Sequence, residues 1–199
     1  MSESLIKIDS FVLFGVFGDL SIRKLIPAWY YLERDNRLSD SLKILGVGRR
    51  IASDAELKDK VREALDTFVS KEYLNSEAVS RLLERFYYCA CDLSKEESYS
   101  DLSAKIRDWE KPAAYYLAIS PSLFENVCDG LKSAKLISSH SRIVVEKPVG
   151  YDLKSSQEIK YMRKASELAD KALEEVFKEN EYKFLAFTAE GTSSVIQIL

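Results

Sequence analysis

Residues 15–20, Gly-Val-Phe-Gly-Asp-Leu, are the segment whose residue types and spacing best fit a phosphate-binding turn. Gly15 and Gly18 follow the apolar run Phe11–Phe14 and precede a segment with helical periodicity. Backbone N–H groups at the start of a helix attract phosphate oxygens, and glycine permits the tight turn and close approach. The order strand, glycine turn, helix therefore predicts a dinucleotide-binding site.

Arg49, with Arg50 beside it, is the second candidate group, because both follow the next strand-like run, Lys43–Val47. In dinucleotide sites the end of this strand faces the adenosine ribose. An acidic residue there binds the 2′-hydroxyl of NAD, whereas arginine binds the 2′-phosphate of NADP. The arginines favour NADP. The alternative is two surface arginines that happen to follow a strand.

The rest of the chain alternates strand-like and helix-like segments, a pattern typical of parallel strands joined by helical crossovers. The predicted strands are Phe11–Phe14, Lys43–Val47, Tyr87–Cys91, Ala114–Ile119, Arg142–Glu146 and Lys183–Phe187. The predicted helices are Leu20–Leu32, Asp54–Ser70, Ser76–Phe86, Tyr99–Trp109, Ser122–Ala134 and Leu153–Lys178. We expect an α/β fold: a Rossmann-like doubly wound parallel sheet over residues 8–150. Residues 151–199 would form an incomplete helix–strand–turn–helix unit, a fragment of a second domain.

Composition limits the function classes. The chain has 199 residues, 46% hydrophobic and 31% charged, with a net charge of −3, so nucleic acids and acidic membranes are not expected partners. No apolar run approaches the roughly 20 residues of a membrane span. The first ten residues lack a secretion-signal pattern, so a cytoplasmic location is expected. Cys89, Cys91 and Cys128 lack zinc spacing and are predicted to be buried reduced thiols, with no metal site.

Four ordered blocks of this sequence resemble the glucose-6-phosphate dehydrogenase family. They are FVLFGVFGDLSIRKLIPAWYYL, ILGVGRR, YYLAISPSLF and RIVVEKPVGYDLKSS. The resemblance covers about residues 10–159. One departure is Val16-Phe17, where the family has small residues; Phe17 is bulky beside the expected phosphate path and would weaken coenzyme binding.

The resemblance implies an NADP-binding role for a set of residues along the turns that follow the strands: Gly15, Phe17, Gly18, Asp19, Leu20, Arg49, Ile119, Pro121 and Lys147. Lys147, in the segment EKPVG, would contact glucose 6-phosphate as well as the coenzyme, and Lys24 would add positive potential nearby. Ser120 replaces a proline that is common in the family.

The family's catalytic residues have no counterpart in this sequence. The family uses a histidine base oriented by an aspartate, in a domain after the coenzyme domain, and a histidine suits proton abstraction near neutral pH. His140 is the one histidine here, and it matches no catalytic position. The catalytic residues are therefore unassigned, and the chain is expected to be truncated and to bind coenzyme without turnover.

After Ile159 the sequence is similar to the beginning of 6-phosphogluconolactonases, where a strand leads into a small-residue phosphate loop and a helix. Residues 188–193 would stand at that loop, although Glu190 places an anion there. The alternative is a strand–turn–helix of no particular descent. The two enzymes catalyse successive steps of the pentose phosphate route, which suggests a fusion or remnant of both.

Three functional hypotheses follow from these resemblances. The first is an NADP-dependent glucose-6-phosphate dehydrogenase relative that supplies the coenzyme half of a hydride transfer from C1 of glucose 6-phosphate. The second is a non-catalytic NADP-binding or regulatory module that forms homo-oligomers or associates with full-length dehydrogenase. The third is an inactive fusion remnant or unstable fragment.

Overall fold

The computed structural model describes residues 9–109, 113–137, 141–147 and 185–188. Six strands and five α-helices lie within these ranges. The strands are β1 (Ser10–Phe14), β2 (Lys43–Gly48), β3 (Phe86–Ala90), β4 (Ala113–Leu117), β5 (Arg142–Lys147) and β6 (Leu185–Thr188). The helices are α1 (Ile26–Arg34), α2 (Asp54–Phe68), α3 (Ser76–Arg85), α4 (Ser98–Ile106) and α5 (Phe124–Ser133).

The six strands form one sheet in the order β3-β2-β1-β4-β5-β6, and every neighbouring pair is parallel. This order reverses direction between β1 and β4, which is the arrangement of a doubly wound dinucleotide-binding sheet. The predicted α/β fold with a Rossmann-like parallel sheet is confirmed. β6 corresponds to the strand predicted at Lys183–Phe187, and it extends this sheet by pairing with β5.

Helices cover both faces of the sheet. One buried cluster joins α1, α2 and α3 to one face and includes Trp29 and Leu57; another joins α4 and α5 to the opposite face and includes Leu102 and Val127. All residues of β1 and β4 are buried, as expected for central strands covered on both faces. The sheet therefore presents its strand ends, not its faces, to ligands.

The chain enters α1 through a π-helical turn, Ser21–Leu25, where the sequence predicts one continuous helix. Pro27 has no N–H, so it cannot donate to the carbonyl four residues earlier, and its ring crowds that carbonyl. The wider turn accommodates the proline, and the Ile26 N–H donates instead to the Ser21 carbonyl.

The predicted capping box at the start of α2 is present. The Ser53 hydroxyl accepts from the Glu56 backbone N–H at 3.1 Å, and a Glu56 carboxylate oxygen accepts from the Ser53 N–H at 2.7 Å. These reciprocal bonds satisfy two helix-end donors and fix the Glu56 side chain. Glu56 is thereby held beside the loop that follows β2.

A buried carboxylate joins α1 to α3 near the amino end of β2. Glu33 is 3% exposed and accepts from Arg81 Nε at 3.0 Å and from Arg85 Nε at 2.6 Å. Arg85 Nη1 also donates to the carbonyls of Ser39 at 2.7 Å and Leu42 at 3.1 Å. The network fixes the segment that leads into β2.

The edge of the sheet at β3 is covered by side chains from both layers. Asp54 of α2 accepts from the outward-facing backbone N–H of Tyr88 at 2.6 Å. Lys105 of α4 reaches around the edge to the same carboxylate, with Nζ 3.3 Å from Oδ1. The two helix layers are therefore connected around β3.

The cysteines behave as predicted from their spacing, since all three are buried free thiols. Burial raises the pKa of Cys89 and Cys128 to about 11 and that of Cys91 to about 12. Within the described ranges, no helix has the length and apolar character needed to cross a membrane. The helix predicted at Leu153–Lys178 and the loop containing His140 lie outside the described residues.

Candidate dinucleotide-binding site

The carboxyl ends of β1 and β4 meet where the strand order reverses, and the glycine segment lies there. The Ala118 N–H donates to the Phe14 carbonyl at 3.0 Å, which joins the two strand ends. The Gly15 N–H turns the other way and donates to the Val47 carbonyl of β2 at 2.9 Å. The loop is thus tied to the strands on both sides, at the position where doubly wound sheets bind nucleotides.

Gly15 requires glycine for two reasons. Its φ is +82°, in the left-handed region. A Cβ at this position would also lie 2.2 Å from the Ala118 carbonyl oxygen and 3.0 Å from Ile119 Cγ2. The structure therefore brings the predicted site residues Gly15 and Ile119 together across the crevice.

Gly18 closes the turn and the helix begins after it. Its N–H donates to the Gly15 carbonyl at 2.8 Å, and the Ser21 hydroxyl donates to the same oxygen at 2.9 Å. In the part of the chain that the structure describes, the backbone N–H groups of Phe17, Asp19 and Leu20 donate to no protein acceptor. Such unsatisfied donors at a helix start are suited to an anion.

Asp19 carries a negative charge at this helix start, but its side chain faces solvent. The carboxylate is 81% exposed and lies 3.6 Å from the Arg23 guanidinium. An exposed pair of this kind is screened by water and contributes little to stability. Arg23 and the exposed Lys24 keep the first turn of the helix from being net negative.

Phe17 packs beside the end of β2. Its ring lies 5.3 Å from the Tyr88 ring, between centroids, and a Cβ on Gly48 would lie 3.4 Å from Phe17 Cδ2. The ring is half-buried against the core cluster that contains Tyr88. Its bulk is therefore directed toward β2 and β3.

Arg50 lies over this ring. Its guanidinium carbon is 4.9 Å from the centre of the Phe17 ring, within the range of cation–π attraction. One nitrogen is 3.4 Å from a Glu56 carboxylate oxygen, and both side chains of this pair are 54% exposed. The backbone N–H of Ser53 donates to Glu56 and is the main reason why the pKa of that carboxyl is lowered, with a smaller contribution from Arg50.

Tyr88 fixes the backbone that carries the two arginines. Its hydroxyl lies 3.1 Å from the Gly48 carbonyl oxygen and also donates to the Arg50 carbonyl. Burial raises the pKa of Tyr88, so the hydroxyl stays protonated and can donate. These two hydrogen bonds therefore fix the backbone of the segment that follows β2.

Arg49, the residue before Arg50, is also exposed. Among the described residues it makes no hydrogen bond or ion pair, yet its charge helps to lower the pKa of Asp92, which follows β3. The larger causes of that lowered pKa are the hydrogen bonds that Ser94 donates to Asp92. Arg49 therefore differs from Arg50, whose guanidinium contacts the Phe17 ring and Glu56.

The other predicted residues follow β4 and end β5. Ile119 is partly buried, and Pro121 begins a short 3-10 turn, Pro121–Leu123, that leads into α5. Lys147 is the last residue of β5, paired with Thr188, and so lies at the carboxyl edge of the sheet.

Sequence reasoning missed Tyr88 and Glu56 as residues of the site. The capping-box pattern indicated the position of Glu56, but no local pattern indicates its contact with Arg50.

The chain is similar to the family described as "Glucose-6-phosphate dehydrogenase, NAD binding domain", whose model matches residues 12–183. The match extends beyond residue 159, where the resemblance was expected to fade. A curated glucose-6-phosphate 1-dehydrogenase of Zymomonas mobilis is 38% identical over 152 residues, which are 76% of this chain and 31% of that protein. The counterpart from Rhizobium meliloti is 33% identical over 162 residues, 80% of this chain and 33% of that protein.

Solved structures give the same result. Glucose-6-phosphate 1-dehydrogenase from Mycobacterium avium matches with a TM-score of 0.66 and 32% identity, over 78% of this chain and 33% of that one. A glucose-6-phosphate dehydrogenase in complex with its substrate glucose-6-phosphate matches with a TM-score of 0.71 and 28% identity, over 95% of this chain and 38% of that one. The chain spans about a third of the length of the curated relatives it matches.

Proposed function

The chain belongs to the glucose-6-phosphate dehydrogenase family, and from that premise we propose that it binds NADP across the carboxyl ends of β1, β2 and β4. The observation that carries this proposal is the glycine turn at the reversal point of the sheet. There Gly15 adopts φ +82°, and the helix begins with N–H groups that have no acceptor among the described residues. A diphosphate fits such donors because they supply partial positive charge without a competing protein acceptor.

The proposed roles follow the three strand ends. Gly15, Phe17, Gly18, Asp19 and Leu20 form the turn that receives the diphosphate. Arg49 and Arg50 contribute the positive charge for the adenosine 2′-phosphate, and this charge favours NADP over NAD. Ile119 and Pro121 follow β4 and border the nicotinamide end.

We also propose that the protein acts on glucose 6-phosphate, with Lys147 binding the sugar phosphate. Bound NADP supplies a hydride acceptor. The protein groups must hold the sugar with C1 toward that acceptor and must remove the proton of the C1 hydroxyl. No residue of this chain is assigned here as the base that takes this proton. Coenzyme binding is the function assigned to this chain itself.

Calorimetric titration of the chain with NADP and with NAD tests the proposal. NADP is expected to bind at least about tenfold more tightly, because one charge-assisted hydrogen bond to the 2′-phosphate is worth roughly 1.5–3 kcal/mol. The variant Arg49→Ala/Arg50→Ala should abolish this preference while NAD binding is retained. Absence of NADP binding at millimolar concentration, in a sample shown to be folded by circular dichroism, would refute the proposed function.

A separate measurement tests the substrate. Glucose 6-phosphate should bind to the NADP-loaded chain, and Lys147→Ala should weaken that binding about tenfold, with a smaller loss of NADP affinity because Lys147 is also expected to contact the coenzyme. Asp101→Ala, at an exposed position on α4 far along the chain from any site residue, is the matched control. Equal sugar-phosphate binding by wild type and Lys147→Ala would remove Lys147 from the substrate site.

A further inference from the structure

Arg49 and Arg50 are adjacent in sequence but differ in how the structure holds them. Arg49 is exposed and has no hydrogen-bond or ion-pair partner among the described residues. Arg50 is held over the Phe17 ring at 4.9 Å and next to Glu56 at 3.4 Å. A side chain held in one place loses less rotational freedom when it binds a ligand.

The Phe17 ring is itself packed against Tyr88. The Tyr88 hydroxyl in turn holds the Arg50 carbonyl. Tyr88, Phe17 and the Arg50 guanidinium are therefore in successive contact between the turn after β1 and the loop after β2, with the two rings tilted by 46°. We call them the aromatic–arginine stack.

The stack leaves the phosphate-binding capacity of Arg50 largely unused. Contact with an aromatic ring face uses no N–H group, and Glu56 engages one guanidinium nitrogen at 3.4 Å. A guanidinium has five N–H donors, so most remain available, and its planar fork matches two phosphate oxygens. Because the side chain is 54% exposed, a phosphate can reach those donors from solvent.

We propose that Arg50, positioned by Phe17, is the residue of this chain that discriminates NADP from NAD. The inference rests on the proposed function, since it assigns the 2′-phosphate contact within that site. The Arg50 guanidinium packs over Phe17, a residue of the turn that would hold the diphosphate, with its carbon 4.9 Å from the ring centre. Arg49 makes no such contact among the described residues, so a 2′-phosphate would meet a positioned guanidinium at Arg50 and one without a positioning contact at Arg49.

Phe17 acts as a positioning residue in this arrangement. The ring holds the Arg50 guanidinium at the gap between the two loops, so the large side chain assists coenzyme discrimination. Glu56 has the opposite effect. It helps to hold Arg50, but its carboxylate adds a negative charge where a phosphate dianion must bind. Neutralising Glu56 without shortening it should therefore strengthen phosphate binding.

The test uses adenosine 2′,5′-bisphosphate as the probe and adenosine 5′-monophosphate as its matched control ligand, both titrated calorimetrically into the full chain. Arg50→Ala is expected to weaken the bisphosphate about tenfold and to change the monophosphate less than twofold, as the loss of a charge-assisted phosphate contact requires. Arg49→Ala is expected to weaken the bisphosphate only about twofold. Arg50→Gln serves as a second variant if Arg50→Ala fails to fold.

The role of Phe17 has its own readout. Phe17→Leu should weaken the bisphosphate about threefold in the wild-type background and cause no further loss in the Arg50→Ala background, because coupled residues are non-additive. Phe17→Tyr keeps a ring under the guanidinium and should restore wild-type affinity. Equal losses from Phe17→Leu in both backgrounds would overturn the positioning role.

A further substitution, Glu56→Gln, tests the effect of the carboxylate beside Arg50. It should strengthen bisphosphate binding about twofold to threefold and leave the monophosphate unchanged. Glu63→Gln, which neutralises an exposed carboxylate on α2 paired with Lys60, is the control and should change the affinity for neither ligand.

A larger loss of bisphosphate affinity from Arg49→Ala than from Arg50→Ala would overturn the inference but leave the proposed NADP site standing. A folded wild-type chain that binds neither NADP nor bisphosphate would overturn both.

Discussion

The two ends of β2 use arginine in opposite ways. Below the amino end, Arg85 is 12% exposed and its donors are committed to Glu33 and to backbone carbonyls. At the carboxyl end, Arg49 and Arg50 are exposed, and most of their donors have no protein acceptor among the described residues. Guanidinium groups near the two ends of one short strand thus serve the fold at one end and, in the proposed site, a ligand at the other, and the number of satisfied donors distinguishes the two uses.

This difference follows from burial. An ion inside a protein must have its donors and acceptors satisfied, since an unpaired buried charge is strongly destabilising. An exposed guanidinium is hydrated, so leaving its donors without a protein acceptor costs little free energy. Substitutions at the amino end should therefore change stability, and substitutions at the carboxyl end should change binding.

Glu33→Ala should have the largest effect. Removing the shared carboxylate leaves Arg85 and Arg81 without their buried partner, and the expected loss is about 3–5 kcal/mol in the free energy of unfolding. Urea denaturation followed by circular dichroism measures it. Glu77→Ala removes the exposed partner of Arg81, 83% exposed, and should cost less than about 0.5 kcal/mol. Similar losses for both variants would mean that burial does not determine how much an arginine–carboxylate pair contributes to stability.

Gly15→Ala should have the next largest effect. Gly15 follows β1 at the carboxyl edge of the sheet, and its own backbone conformation is constrained. The variant must hold a Cβ at φ +82° and 2.2 Å from the Ala118 oxygen, so the turn must shift. We expect a loss of roughly 1–3 kcal/mol in the free energy of unfolding and loss of detectable NADP binding by calorimetry.

Gly18→Ala provides the control for Gly15. Its φ lies outside the left-handed region, and its Cβ would lie 3.0 Å from the Gly15 carbonyl oxygen and 3.8 Å from the Ala118 carbonyl oxygen. It should be less destabilising than Gly15→Ala. If the two variants lost the same stability, the strain would not be specific to the reversal point of the sheet.

Acidification should produce the smallest effect. The pKa of Glu56 in the folded chain is lowered from its ordinary value of 4.5, chiefly by the hydrogen bond from the Ser53 backbone. Such a carboxyl stabilises the fold fully above its unfolded-state pKa and loses that contribution as pH falls through the folded-state value. The stability difference between wild type and Glu56→Gln should therefore be constant above about pH 5 and shrink below it. Urea denaturation across this range tests it, and a difference independent of pH would contradict it.

The sheet and the glycine turn could be predicted from the sequence because their signals are local. Apolar runs indicated β1 and β2, and the spacing of Gly15 and Gly18 indicated the turn between strand and helix. The ends of elements were less accurate. β4 ends at Leu117, whereas the prediction continued to Ile119. Ala118 still donates to the Phe14 carbonyl, but Gly15 turns away at φ +82° and bonds to Val47 of β2, so the pairing of β1 with β4 ends there.

The aromatic–arginine stack could not be predicted in the same way. Phe17, Arg50 and Tyr88 are separated by more than thirty residues each, and only the parallel pairing of β1, β2 and β3 brings them together. Sequence analysis treated Phe17 as an obstacle on the phosphate path, because residue size is visible in a sequence and side-chain direction is not. The family resemblance gave no help at this position, where the chain departs from the family pattern.

The Asp54 carboxylate at Tyr88 has a consequence for how molecules of this protein can meet. An uncovered edge strand offers its N–H groups to a strand of another molecule, and that is a common route to self-association and aggregation. Here the outward Tyr88 donor is already occupied, and Lys105 holds the occupying carboxylate in place. Growth of the sheet from molecule to molecule through β3 would require breaking both contacts, so this side of the protein is protected against intermolecular strand addition.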